Sequence, residues 1–173
     1  MSDPREQFER TTCDCEICQV ACRTMPGATI PNDIKRIAEY LGVENDETFW
    51  REHFEVSSGA VAMKGGVVFN VPSIVPAQRD DGSCVFLQDG RCTVHPVAPF
   101  CCSHFDTHMD SVAARPMTEA CVRAQIDGHR TNSEWHRIGV YLERAGLLAS
   151  PLAERKAAFA KAERDMRAKG GVA

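Results

Sequence analysis

The chemistry of this 173-residue chain is concentrated in nine cysteines, and they are unevenly spread. Four fall in Cys13-x-Cys15-x2-Cys18-x3-Cys22. None lies between Cys22 and Cys84, and the rest are Cys84, Cys92, the adjacent Cys101 and Cys102, and Cys121. Thiolates crowded into one loop or helix turn repel one another unless a cation compensates them, so the first run points to a bound metal. In a reducing compartment structural disulfides are a poor explanation for so many thiols, and ligation is the better one. All nine are therefore candidate ligands, and two groups distant in sequence must converge. The spacing is neither the bacterial ferredoxin run nor paired zinc-ribbon spacing. If Cys101 and Cys102 are extended they point in different directions, so one of them, taken as Cys102, joins a shared centre. The core of the set is Cys15, Cys18, Cys22, Cys84, Cys92 and Cys102, with Cys13, Cys101 and Cys121 as its outlying members.

Three histidines and a carboxylate stand beside the second group: His95, His104, Asp106 and His108. They are candidate additional ligands, or partners that hydrogen-bond to the thiolates. His104, Asp106 and His108 supply the donor types of a two-histidine, one-carboxylate iron site. An extended segment puts all three on one face, whereas a helix turns Asp106 away from the two histidines. His53, His129 and His136 read as packing or surface residues. Gly65-Gly66 precedes a strand and is no phosphate-cradling loop.

Eight thiolates suit two four-coordinate centres, or one cubane cluster with four spare thiols. Phe86, Phe100 and Phe105 beside the second group would give a cluster a dry shell, and an iron–sulfur cluster is preferred over zinc on that ground.

Positioning these residues falls to a modest set of elements. Ile34, Ile37, Ala38 and Leu41 recur at helical spacing and Gly42 stops the run. A short helix follows a cap at Asp46 and carries Phe49, Trp50, His53 and Phe54 on one side. Val67 to Val71 reads as a strand closed by Pro72, and Cys84 to Leu87 with Arg91 to Val94 reads as a hairpin around Asp89-Gly90. Thr131-Asn132-Ser133-Glu134 has capping-box character and opens a helix to Gly146, and Ser150-Pro151 opens a last helix ending near Gly170-Gly171. These predict an α+β fold: a small hairpin-based sheet with surrounding helices and metal-binding loops, and a C-terminal helical pair. Residues 1–130 form the cysteine-cluster metal-binding domain and residues 131–173 a helical extension packed on it.

Composition narrows the function. Hydrophobic residues make up 43% and charged residues 25% of the chain, which is ordinary globular usage. No stretch approaches the roughly 20 apolar residues of a membrane span, and the polar start from Met1 and Ser2 lacks a secretory apolar core. The expected location is cytoplasmic. A net charge of −4 gives no basic field for nucleic acid, and Lys156, Lys161, Arg164, Arg167 and Lys169 alternate with acids along a solvated helix.

From Cys13 to Asp106 the chain resembles a bacterial family of cysteine-cluster proteins known by a CxxCxxCC motif and described as zinc- or iron-chelating. The resemblance rests on Cys15-x2-Cys18-x3-Cys22, Pro31-Asn32-Asp33-Ile34, Cys84-Val85-Phe86-Leu87, Gly90-Arg91-Cys92-Thr93-Val94-His95 and Ala98-Pro99-Phe100-Cys101-Cys102. Against the family pattern, Ala21 stands for a cysteine, for which Cys13 could substitute, and Ala98 and Ser103 stand for arginines. The resemblance implies metal chelation by about eight of the nine cysteines. Three functions are compatible with these observations. The first is a metal-cluster protein in electron transfer or accessory to another metalloenzyme, with a redox or metalloenzyme partner. The second is a non-heme iron enzyme using His104, Asp106 and His108. The third is a zinc-stabilised interaction module.

Overall fold

A computed structural model describes residues 3–13, 15–64 and 66–170, so the expectations at Met1, Ser2, Gly65 and Gly171 lie outside the described residues. The fold is α+β. In chain order its regular elements are α1 (Glu16–Thr24), α2 (Asp33–Leu41), α3 (Glu47–His53), β1 (Phe54–Lys64), β2 (Val67–Pro76), β3 (Leu87–Gln88), β4 (Arg91–Cys92), α4 (Phe100–Ser103), α5 (Ser111–Thr131), α6 (Ser133–Arg144) and α7 (Leu152–Gly170). Among the described residues, no helix is long and apolar enough to cross a membrane.

The helices with clear sequence punctuation form where expected. α2 buries Ile34, Ile37 and Ala38, and Gly42, at φ 69°, ends it by returning its N–H to the Ala38 and Glu39 carbonyls. Asp46 caps α3 by accepting from the Phe49 N–H at 2.9 Å. Phe54 is the exception, because the chain leaves the helix there and starts β1. That strand was not anticipated, since Ser57-Ser58-Gly59 breaks any alternation. It pairs antiparallel with β2 from Phe54↔Pro76 to Lys64↔Val67, with a register shift between Ser57 and Ala60. Gly59 permits this bulge: at φ 75° a Cβ would lie 1.6 Å from the Val71 carbonyl oxygen. The expectation that Pro72 closes β2 is corrected by the same bulge, which interrupts the ladder where a proline has no N–H to give.

The Asp-Gly hairpin exists but is shorter than expected, two residues on each side, with Asp89 at φ 50° and Gly90 at φ 75° as a type I′ turn requires. Cys84 lies ahead of β3 and bridges to Gln78. α5 was also missed: Asp110 caps it by accepting from the Val112 and Ala113 N–H groups, and Pro116 sits inside it. Because α5 extends to Thr131, the cap of α6 is Asn132, which accepts from the Trp135 N–H at 2.9 Å.

Two apolar clusters hold these elements. The larger joins α2, α3, β1 and α6 through Ile37, Trp50, Phe54 and Leu142; the smaller joins α4 and α5 through Ile30, Phe100, Met117 and Cys121. Between them stands the fully buried carboxylate of Asp33. Its Oδ2 accepts from the N–H of Ile30 at 2.8 Å and of Phe100 at 3.0 Å, while Oδ1 takes Arg5 and, at 3.3 Å, Arg36. Burial pushes its carboxyl above the ordinary range, against the pull of Arg5 and the two backbone donors. Asp33→Ala strands these donors and is expected to lower stability by about 3 kcal/mol, seen as a lower urea midpoint. A midpoint equal to the parent's would show that Asp33 holds nothing in place.

Candidate metal centre

All nine cysteines are free thiols, and the fold sorts them into three groups. In the outer group the ligand atoms of Cys13, Cys15, Cys18 and His108 all lie within 4.8 Å of one another. Cys13 precedes α1, Cys15 is its N-cap and Cys18 lies in its first turn, so a single helix start presents three sulfurs together. His108 arrives from the irregular segment between α4 and α5, with Nε2 3.1 Å from the Cys15 sulfur.

A hydrogen-bonded clamp fixes that encounter. The Thr11 hydroxyl donates to Asp106 at 2.9 Å and accepts from the Cys13 N–H at 3.2 Å, while the other Asp106 oxygen accepts from the His108 N–H at 2.9 Å. Asp106 thus positions both arms of the group. The Thr11 hydroxyl, with the backbone donors of His108 and Met109, holds its carboxyl below the usual range. The alternative triad of His104, Asp106 and His108 does not assemble. His104 is buried and stacked on Phe100, with Nδ1 against the Ser103 hydroxyl and the Phe100 carbonyl, while Asp106 and His108 face the outer group. The cause is local: α4 ends at Ser103 and the segment from there to the Asp110 cap of α5 forms no regular helix or strand.

The inner group is Cys22, Cys84, Cys92 and Cys102, which line one narrow cavity of about 40 Å³ with Phe86, Val94 and Ala98 among the walls. Cys22 comes from α1, Cys84 from the loop before β3, Cys92 from β4 and Cys102 from α4. The Cys84 N–H donates to the Cys22 carbonyl at 3.3 Å. Gly27 brings α4 close: its N–H donates to the Cys102 sulfur at 3.2 Å, and a Cβ there would lie 2.6 Å from the Cys101 carbonyl carbon. Burial pushes all four thiols up, Cys84 to about 12, and each is raised further by charge on others of the set, except Cys92, whose shift is set by burial. Two arginines work the other way. Arg79 lowers Cys84 and Arg10 lowers Cys92. Arg79 also binds the loop around Cys84 through the carbonyls of Cys84, Val85 and Leu87 at 2.5 to 2.9 Å. Neither arginine was singled out from the sequence: Arg10 reaches carbonyls 85 and 86 positions away, and Arg79 binds a loop four to eight residues ahead that carries no turn motif read from the sequence. His95 also lines this cavity, and its carbonyl accepts from Arg10.

Cys101 and Cys121 form the third group, their sulfurs 3.2 Å apart. α4 is helical, so the adjacent Cys101 and Cys102 point about 100° apart and divide between two groups. The sequence-derived core of six cysteines is likewise divided, Cys15 and Cys18 to the outer group and the other four to the inner.

The family model with the description "CxxCxxCC: Putative zinc- or iron-chelating domain" matches residues 13–124. The chain belongs to this family. No match was found among curated proteins or among solved structures. The matched span takes in all nine cysteines and His108, and ends before α6 and α7. Metal binding through a cysteine cluster, with zinc or iron as the metal, is therefore a property of this domain.

Electrostatics distinguishes the outer thiols. The Cys18 backbone N–H and the His108 ring lower Cys15 to about 6, and the same contact raises His108. Cys13 is lowered by the Cys15 N–H but raised more by its contacts with the Cys15 and Cys18 sulfurs, and ends at about 11. In the metal-free chain iodoacetamide should therefore modify Cys15 first, with a rate that rises through a midpoint of about 6, and His108→Ala should move that midpoint upward. Peptide mapping of quenched samples reads this directly; modification of Cys13 ahead of Cys15 would contradict it.

Proposed function

We propose that this domain holds two single metal ions, one in the outer group, whose donors already lie within 4.8 Å of one another, and one in the inner group, whose four thiols line one cavity and must draw closer around it, and that it serves as an accessory that keeps or passes metal for a metalloenzyme partner. The observation that carries the reading is the mutual approach of Cys13, Cys15, Cys18 and His108 within 4.8 Å. A tetrahedral ion with metal–sulfur bonds of about 2.3 Å sets its sulfurs ~3.8 Å apart, so three thiolates and an imidazole at this spacing fit one ion. A cubane needs its thiolates farther apart, because the whole cluster stands between them. Three sulfurs and one nitrogen suit zinc, and they also suit ferrous iron. Bound there, the ion would supply a Lewis-acidic, exchangeable centre.

The two groups differ in a way that supports a division of labour. The outer donors sit on a helix start and an irregular segment, with His108 exposed, so the ion they hold can be reached by a chelator or an acceptor protein. The inner thiols come from four separate parts of the fold, all of which must yield to release an ion, and this favours slow exchange even though Cys22, Cys92 and Cys102 also line the wide cavity. Thiol ligands of this kind are compatible with the reducing cytoplasm. The iron–sulfur alternative, preferred on sequence, makes a distinct chemical prediction.

Anaerobic purification followed by metal and acid-labile sulfide analysis tests the proposal. Two ions per chain without sulfide are expected, with a chelator removing the outer one much faster; Cys18→Ser should abolish the fast phase and Cys102→Ser the slow one. Near-stoichiometric sulfide with iron would replace this reading by a cluster. The clamp yields a second test: Thr11→Val should weaken the outer site about tenfold while leaving the inner one unchanged, as titration with a competing chromophoric chelator would show. Equal affinity in parent and variant would remove the clamp from the account.

A further inference from the structure

Cys101 and Cys121 belong to neither four-donor group, yet their sulfurs are 3.2 Å apart. Cys101 lies in α4, and Cys121 lies in the middle of α5, 5% exposed. Around them are Ile30, Phe100, Met117 and Ala124. Two thiols with apolar neighbours are poor equipment for a zinc or iron site.

A second observation concerns access. A cavity of about 980 Å³ runs between α1, α5, α7 and the β1–β2 hairpin, and both Cys101 and Cys121 form part of its wall. Its volume is at the upper end of small-molecule sites. A small reagent can therefore reach two sulfurs that the bulk of the fold covers.

We infer that Cys101 and Cys121 form an oxidation site, a dithiol that closes to a disulfide on reaction with a hydroperoxide or a small diffusible disulfide. With hydrogen peroxide, one sulfur of the pair attacks one peroxide oxygen. The O–O bond breaks, water leaves and that cysteine becomes a sulfenic acid. The other sulfur then displaces that oxygen as a second water, forming the S–S bond. Two thiols lose two electrons and two protons, and one peroxide is reduced to two waters. With a small disulfide as oxidant, two small thiols are released instead. The product ties α4 to α5 beside Cys102, so it fixes the helix that carries one inner thiol without using any of the eight donors. This inference stands apart from the two-ion proposal, since the pair can close whichever metal the domain holds.

The test uses the full chain loaded with zinc, exposed to hydrogen peroxide, alkylated and mapped without reduction while bound zinc is measured in parallel. A Cys101–Cys121 cross-link, lighter by two hydrogens, should appear before zinc is lost. It should be absent in Cys101→Ser and persist in Cys102→Ser, which separates the adjacent thiols. Three results would overturn the inference: zinc release while Cys101 and Cys121 remain alkylatable, a link made through Cys102, or no link at any peroxide dose. If a serine variant fails to fold, the map of the parent chain decides alone.

Discussion

One buried carboxylate organises the parts of this fold that carry chemistry. Asp33 opens α2, but its oxygens are turned to the backbone of Ile30, to the first N–H of α4 and to arginines from the N-terminal arm and from α2 itself. A carboxylate placed in apolar surroundings is costly unless its lone pairs are filled, so all of these partners are held in one arrangement. The start of α4 is fixed by that arrangement, and with it the directions of Cys101 and Cys102.

The second organising constraint is charge. Seven cysteines and His108 could not share one small volume as ionised groups without cations, and the fold divides them between two places. Cys13, Cys15 and Cys18 meet His108 at the start of α1; Cys22, Cys84, Cys92 and Cys102 line a separate narrow cavity, with Arg79 and Arg10 acting on Cys84 and Cys92. α1 links the two because Cys18 and Cys22 are one helical turn apart, so a single nine-residue helix contributes to both. The protein charges that remain near the thiols are those whose backbone contacts also shape the loops, which is why Arg79 and Arg10 act on geometry and electrostatics together.

α6 and α7 lie beyond the family-matched span, yet they are not idle. Trp135, Ile138 and Leu142 of α6 complete the larger core cluster. α7 rests against α1 and the hairpin, where the buried Arg155 donates to the Ser57 hydroxyl at 2.6 Å and to the Ser150 carbonyl at 2.9 Å. Its inner face closes one side of the wide cavity on which all three thiol groups open.

The sequence by itself determined the class of chemistry and the well-punctuated elements. Clustered cysteines point to a metal whatever the fold, and Asp46, Gly42 and Asp89-Gly90 act on their own backbone, so their effects are legible locally. β1 was hidden because its bulge at Gly59 erases the alternation, and α5 because Pro116 interrupts an otherwise readable pattern that its cap at Asp110 announces. Only the tertiary structure decided which cysteines keep company. That Cys102 faces Cys22 while Cys101 faces Cys121 follows from the helical turn of α4 against Gly27, and that His108 completes the outer group while His104 is buried follows from the Thr11–Asp106 clamp. The contacts of Thr11 with Asp106, Cys15 with His108 and Gly27 with Cys102 join residues 75 to 95 positions apart in sequence, and no local spacing encodes them.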